Sequence, residues 1–106
     1  MSALLFRPII IRNTDFKNRI AMSPMCMHSA THDGHSTDSH IVYYGERALG
    51  GARLIMLEIA SALPNGPIGP GDLGIWKDSH FDSLARIEDA VYRFGAKAGA
   101  QLGNEK

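Results

Sequence analysis

The stretch A-R-L-I-M-L-E-I-A at residues 52–60 decides the fold class of this 106-residue chain. Apart from Arg53 and Glu58, every residue in it is apolar. A near-continuous apolar run of this length is typical of a parallel strand that is covered on both faces. We therefore predict a buried strand here, in a sheet whose strands are joined by crossover connections.

Upstream of this strand the sequence predicts a short strand, a loop and a helix. Residues 19–22 are an apolar run of the kind seen in a buried strand, whereas residues 25–37 show no sustained period and are predicted to be a loop. The helix that follows is expected to begin at a cap from Asp38 or Ser39 and to end at the glycine pair 50–51.

The amino terminus is predicted to carry a small extra element. Residues 5–8 and 9–11 are two short extended runs, and Pro8 restricts the residue before it to extended geometry. A small hairpin or lid made of these two runs is therefore expected, followed by a turn at 13–15.

Downstream of the central strand lie a long loop, a helix and a last strand. Residues 63–74 contain three prolines and four glycines, which predicts an irregular excursion with neither helix nor central strand. An amphipathic helix follows, capped by Asp78 or Ser79 and closed by Gly95, and residues 98–102 form a final short run. Alternating strands and helices predict parallel pairing and an α/β fold.

Composition and charge argue against several classes of protein. Eleven basic residues offset eleven acidic ones, so no net field favours nucleic acid or an anionic membrane surface. The single cysteine cannot form an internal disulfide, and the chain does not open with a leader pattern, so a cytoplasmic location is expected. No apolar stretch approaches the roughly 20 residues of a membrane helix. We expect one domain over 1–106.

Chemically distinctive residues fall where the predicted parallel strands end. Cys26, in M-S-P-M-C-M-H at 22–28, follows the first strand, while Ala60 and Gln101 belong to the ends of the second and third. Ligand sites collect at this end of parallel strands. Pro24 lacks a backbone donor, but the next two N–H groups remain available to a ligand. From this segment alone, packing is the commoner role of methionine and free cysteine.

Two further patterns leave alternatives open. Glu58 could be a catalytic carboxylate, or a buried acid paired with an arginine or held by hydrogen bonds, and the second interpretation is slightly favoured. Cys26 and the histidines from His28 to His40 could suggest zinc, but their spacings match none of the usual patterns. No metal site is predicted, and a small metal-binding module is the least favoured alternative.

Together these residues resemble the amino-terminal part of the old yellow enzyme family, the FMN-dependent ene reductases built on a TIM barrel, and most of all its bacterial class with a cysteine near the flavin. The matching stretches are LFRPI at 5–9, KNRIAMSPMCM at 17–27, HIVYY at 40–44, RALGGARLI at 47–55, DLGIWKD at 72–78 and QL at 101–102. The resemblance implies a partial TIM (β/α)8 barrel, about the first three βα units, after a short N-terminal hairpin.

The resemblance also implies which residues meet the cofactor. The residues implied to lie against the isoalloxazine ring of FMN are Ser23, Pro24, Met25 and Cys26. The Cys26 thiol would tune the redox behaviour of the flavin. Ala60 would lie at the flavin edge, and the Gln101 amide would hydrogen-bond the pyrimidine part of the ring. His28 stands where the class usually has an active-site tyrosine, so it is a candidate substrate contact.

The activity implied by the resemblance is hydride transfer from NADPH or NADH to FMN, and then to an activated alkene such as an α,β-unsaturated carbonyl compound. A complete barrel takes about 250 residues, so the implied catalytic set is incomplete in this chain. The alternative is a non-catalytic fragment or half of a split barrel. The open sheet edge of a partial barrel also predicts self-association or a need for the remainder of the barrel.

Overall fold

Strands and helices alternate through most of the computed structural model, which describes residues 3–64 and 71–103. In chain order the elements are β1 Ile9–Ile11, β2 Thr14–Phe16, β3 Ala21–Met22, α1 Asp38–Leu49, β4 Leu54–Ser61, β5 Leu73–Gly74, α2 Asp78–Arg93 and β6 Lys97–Gly103. The predicted order of the main strands and helices is confirmed. Among the described residues, no helix combines the length and apolar character needed to cross a membrane.

β4 is the central strand of a parallel sheet. β6 pairs along its whole length, from Leu54 opposite Lys97 to Ser61 opposite Gly103. β3 pairs with the start of β4 and β5 with its end, so both lie along its other edge. The predicted parallel pairing is confirmed, and the C-terminal ends of these strands point in one direction.

The hydrophobic core lies between this sheet and the two helices. α1 and α2 pack against each other and against the sheet, which buries the apolar stripes that their sequences predict. The largest core side chains are Tyr44 of α1, Ile87 and Val91 of α2, and Ile55, Leu57 and Leu73 of the strands. This layer fixes the position of the strand ends that carry the candidate site.

An N-terminal hairpin is present, but its pairing differs from the prediction. β1 pairs antiparallel with β2, with Ile9 opposite Phe16, whereas Leu4–Phe6 forms a short 3-10 helix. The two residues between the strands, Arg12 and Asn13, have φ angles of 48° and 68°. Positive φ at both central residues is the geometry of a tight two-residue hairpin turn, and asparagine tolerates it well.

The predicted helix caps are wrong by one or two residues. α1 is capped by Thr37, whose backbone N–H donates to His40 Nδ1 at 3.0 Å. α2 is preceded by Lys77, which makes no capping hydrogen bond through its side chain. Asp38 and Asp78 instead occupy first turns, where a negative charge interacts favourably with the helix dipole.

The predicted excursion at 63–74 contains a short strand that sequence reasoning missed. β5 pairs Leu73 with Ala60 and Gly74 with Ser61. At Gly74 a Cβ would lie 2.5 Å from the Trp76 ring, so only glycine fits there without a shift. Residues 65–70 of the excursion lie outside the described residues.

Candidate functional site

The three segments predicted to form a site lie at the C-terminal edge of the sheet. Gln101 lies opposite Ile59, and Leu102 lies opposite Ala60, so the ends of β4 and β6 are adjacent. The segment 23–28 continues from β3 beside β4, where the Met27 N–H donates to Glu58 Oε2 at 3.4 Å. The fold therefore brings the neighbourhoods of all three predicted strand ends to one edge.

The predicted site residues differ in how much surface they present. Cys26, Ser23 and Gln101 are exposed, and Met25 is 50% exposed, whereas Pro24 is half-buried. Ala60 is only 1% exposed and belongs to the hydrophobic core, so its side chain offers almost no surface to a ligand. The Ser23 hydroxyl, the Cys26 thiol and the Gln101 amide are thus polar groups available for binding at this edge.

The backbone of the segment 23–28 is irregular and retains donors for a ligand. Within the described residues, the N–H groups of Met25 and Cys26 have no hydrogen-bond partner. Two residues further on, His28 has a φ of 55°, a left-handed conformation that is uncommon outside glycine. The turn after β3 therefore combines a left-handed residue at His28 with two backbone N–H groups that are unpaired among the described residues.

A buried polar network that the sequence did not predict lies beneath this turn. β4 has an irregularity between Leu57 and Ile59, and consecutive residues Leu57 and Glu58 are both buried there. The Tyr44 hydroxyl donates to Glu58 Oε1 at 2.7 Å and accepts from the Glu58 N–H at 2.9 Å. His40 Nε2 lies 3.6 Å from the same Oε1 atom.

The protonation states in this network follow from its contacts. Burial by itself raises the pKa of Glu58, but His40 and the Tyr44 hydroxyl outweigh that effect, and the pKa lies below its ordinary value of 4.5. Glu58 is therefore ionised at neutral pH. Burial raises the pKa of Tyr44, so its hydroxyl stays protonated. His40 Nδ1 accepts from Thr37, which places the proton of the neutral ring on Nε2, the atom nearer Glu58.

The favoured interpretation of Glu58 as a hydrogen-bonded buried acid is confirmed, but its partners are not arginines. Tyr44 and His40 come from α1, and the carboxylate reaches through Oε2 to the turn that carries Cys26. The helical spacing of the sequence H-I-V-Y-Y at 40–44 places its first and last residues on one side of α1, a signal that could have indicated a shared partner.

A second polar cluster joins the loop after β3 to the start of α2. His35 Nδ1 lies 2.9 Å from Asp33 Oδ1 and its Nε2 lies 2.8 Å from the Ser79 hydroxyl. His80 accepts from the Trp76 N–H and lies 2.7 Å from the Asp33 carbonyl oxygen. Across residues 3–64 and 71–103, no three or more His, Cys, Asp or Glu side chains are grouped so that they could hold a metal ion.

Comparison with known proteins shows which family has this arrangement. A sequence profile of the NADH:flavin oxidoreductase / NADH oxidase family matches residues 4–105. This chain belongs to the NADH:flavin oxidoreductase family. Solved structures of old yellow enzyme homologues match it closely, which confirms both the resemblance and the partial TIM barrel.

Three solved members of this group show how much of the fold is shared. The old yellow enzyme homologue of Zymomonas mobilis is 34% identical with a TM-score of 0.88, covering 96% of this chain and 28% of that one. Old yellow enzyme from a Pichia species is 28% identical with a TM-score of 0.89, covering 95% and 26%. Morphinone reductase in complex with tetrahydroNAD is 26% identical with a TM-score of 0.84, covering 97% and 28%. The chain thus spans between a quarter and a third of their length.

Proposed function

We propose that the C-terminal edge of this sheet binds the isoalloxazine ring of FMN. The proposal is supported by an exposed thiol and, among the described contacts, two unpaired backbone donors on the turn after β3. It is also supported by an exposed carboxamide on β6, which pairs with β4 along its other edge. A flavin rim presents both hydrogen-bond donors and acceptors, and an amide can serve both. The proposed contacts are Ser23, Pro24, Met25, Cys26 and Gln101, and the small side chain of Ala60 would permit close approach of the ring to the strand.

In a complete barrel, the proposed activity is NADPH- or NADH-dependent reduction of activated alkenes such as α,β-unsaturated carbonyl compounds. Bound FMN supplies the hydride-transfer chemistry, while the protein supplies orientation and electrostatics. Cys26 would tune the ring, Gln101 would orient it, and His28 would contact substrate. The phosphate site of TIM barrels usually follows strands 7 and 8, so the proposal gives this chain the ring-binding part only. Its single cysteine fits a reducing compartment such as the cytoplasm.

A second candidate function is that of a non-catalytic half of a split barrel. The described part of β6 pairs only with β4, and its other edge is open. Leu102 on this strand is 64% exposed, and a mostly apolar groove between the earlier part of β6 and α2 is lined by Leu57, Ile75, Leu84 and Ala98. An open strand edge next to apolar surface is suited to pairing with further barrel strands or with a second copy.

The test is a titration of FMN into the purified chain, followed by its visible absorbance and fluorescence. We expect binding of the ring, and we expect Gln101→Ala to weaken it roughly tenfold through loss of a hydrogen bond at the rim. Lys97→Ala is the matched control, because Lys97 is exposed at the opposite end of the same strand. Cys26→Ala is expected to keep FMN bound but to shift its reduction potential.

Failure has a clear signature. A spectrum that remains the sum of free FMN and protein throughout the titration contradicts flavin binding, and equal affinities for the Gln101 and Lys97 variants contradict the assigned edge. Sedimentation of the same sample decides the second candidate, since a stable dimer without flavin would favour the split barrel.

A further inference from the structure

The pair formed by His28 and Asp72 lies beside the proposed site, and the roles described so far include His28 but not its contact with Asp72. His28 Nδ1 lies 3.1 Å from Asp72 Oδ1. The two side chains differ sharply in exposure, with 55% of His28 accessible and only 1% of Asp72. A buried carboxylate therefore holds one nitrogen of a ring whose body faces solvent, two residues after Cys26.

The backbone around this pair is constrained to allow the contact. His28 has a φ of 55°, and Gly71 has a φ of 89°. A Cβ at Gly71 would lie 2.5 Å from the His28 carbonyl oxygen, so a glycine is needed for these two loop segments to lie so close together. The Ala30 N–H donates to the Gly71 carbonyl oxygen at 2.9 Å, which holds the two segments together. Strained backbone that surrounding contacts hold in place is typical of functional sites.

We infer that Asp72 is a positioning residue that fixes the tautomer and orientation of His28 so that Nε2 is directed at a ligand bound beside Cys26. An ionised carboxylate accepts a hydrogen bond, so Nδ1 carries the proton of the neutral ring. Nε2 is then a hydrogen-bond acceptor. This inference rests on the proposed function, because the flavin edge defines where a ligand would sit.

The fixed tautomer determines the ligand chemistry that His28 recognises. A neutral ring with Nδ1 bonded to Asp72 accepts from a hydroxyl, an amide N–H or a carboxylic acid proton. A tyrosine at the same place would be able to donate as well as accept. The ligand class assigned to His28 is therefore a small molecule that carries a hydrogen-bond donor near the group to be reduced.

The test measures the tautomer directly by long-range ¹H–¹⁵N NMR of the histidine rings in this chain, at a pH where the imidazoles are neutral. We expect His28 to be protonated at Nδ1. In Asp72→Asn, the ratio of Nδ1–H to Nε2–H tautomers should fall roughly fivefold, because a neutral amide oxygen accepts more weakly than a carboxylate. A His28 ring protonated at Nε2 in the unmodified chain overturns the inference even if the variant fails to fold.

His35 provides the matched control within the same spectrum. It also places Nδ1 near a carboxylate, at 2.9 Å from Asp33, but lies in the cluster at the start of α2. Asp72→Asn should leave the His35 signals unchanged. Addition of phenol, a small hydroxyl donor, to the FMN-loaded chain should then move the His28 Nε2 signal and not that of His35.

The outcomes separate the two proposals. If absorbance shows that FMN binds and phenol then leaves the His28 signal unmoved, the ligand-facing role of Nε2 is wrong. If FMN does not bind, the proposed function fails, while the tautomer and its response to Asp72→Asn still decide whether Asp72 positions the ring.

Discussion

Two carboxylate–histidine pairs in this chain have opposite environments. The Asp33–His35 contact is 2.9 Å long, with side chains 56% and 26% exposed. The Glu58–His40 contact is 3.6 Å long, with side chains 1% and 0% exposed. Judged by distance, the exposed pair is the better contact. Water screens charges at the surface and is excluded around the buried pair, so the longer contact has the larger energetic consequence when it is broken.

The two pairs also differ in what they support. Glu58 connects helix α1 to the turn that carries Cys26, because its two oxygens bond Tyr44 and the Met27 N–H. Asp33 and His35 hold a surface loop against the start of α2. The buried pair therefore helps to set the shape of the candidate site, whereas the exposed pair stabilises a loop on the solvent-exposed surface.

The largest expected effect is that of Glu58→Ala. Removing the side chain leaves a cavity and takes away the carboxylate that accepts from the buried Tyr44 hydroxyl, and we expect the two effects together to lower the free energy of unfolding by about 3–5 kcal/mol. That is a large part of the roughly 5–15 kcal/mol typical of a domain. Urea unfolding followed by far-UV circular dichroism measures the loss.

The control variant Glu58→Gln keeps the shape and removes the charge, and we expect a loss of about 1–3 kcal/mol. It also carries a pH signature. Because the pKa of Glu58 is below 4.5 in the folded chain, its stabilisation is present above about pH 4.5 and is lost as the pH falls through the lowered value. The glutamine variant should lack this part of the acid dependence. Identical pH profiles for the two proteins would contradict an ionised Glu58.

An intermediate effect is expected where backbone geometry, rather than charge, holds the site. Gly71→Ala and Gly51→Ala both place a side chain at positive φ, at 89° and 117°. At Gly51 no atom lies within 4 Å of the added Cβ, so the free energy of unfolding should fall only by the cost of the backbone conformation, about 1–3 kcal/mol. At Gly71 the new Cβ meets the His28 carbonyl at 2.5 Å, so a larger loss is expected. Equal urea midpoints for the two variants would show that the chain relaxes around His28.

The sequence predicted the parallel sheet because the apolar composition of β4 indicates that the strand is buried. The apolar run at 52–60 requires cover on both faces wherever its partners come from. Parallel pairing alone brings the three strand ends to one edge of the sheet, so the sequence was enough to predict that those segments lie there. Their proposed contacts with a flavin stay a prediction.

The parts that sequence reasoning missed depend on partners that are distant along the chain. β5 has two residues and no pattern of its own, so its pairing with the end of β4 leaves no local signal. The contact of His28 with Asp72 joins residues 44 positions apart across an irregular loop. Periodicity reports which side of an element is buried, whereas the identity of a polar partner is set by the tertiary fold.

The smallest expected effect is that of Asp33→Asn, which tests the exposed side of the contrast. Hydrogen bonds from His35, Thr31 and Lys77 lower the pKa of Asp33, yet its carboxylate is open to water and salt. We expect a shift in the urea midpoint several-fold smaller than that of Glu58→Ala, and smaller still at high salt. Asp38→Asn is the matched control, because Asp38 forms a 2.9 Å surface pair with Arg86. If Asp33→Asn destabilises the chain as much as Glu58→Ala, contact distance rather than exclusion of water decides which charges hold this fold.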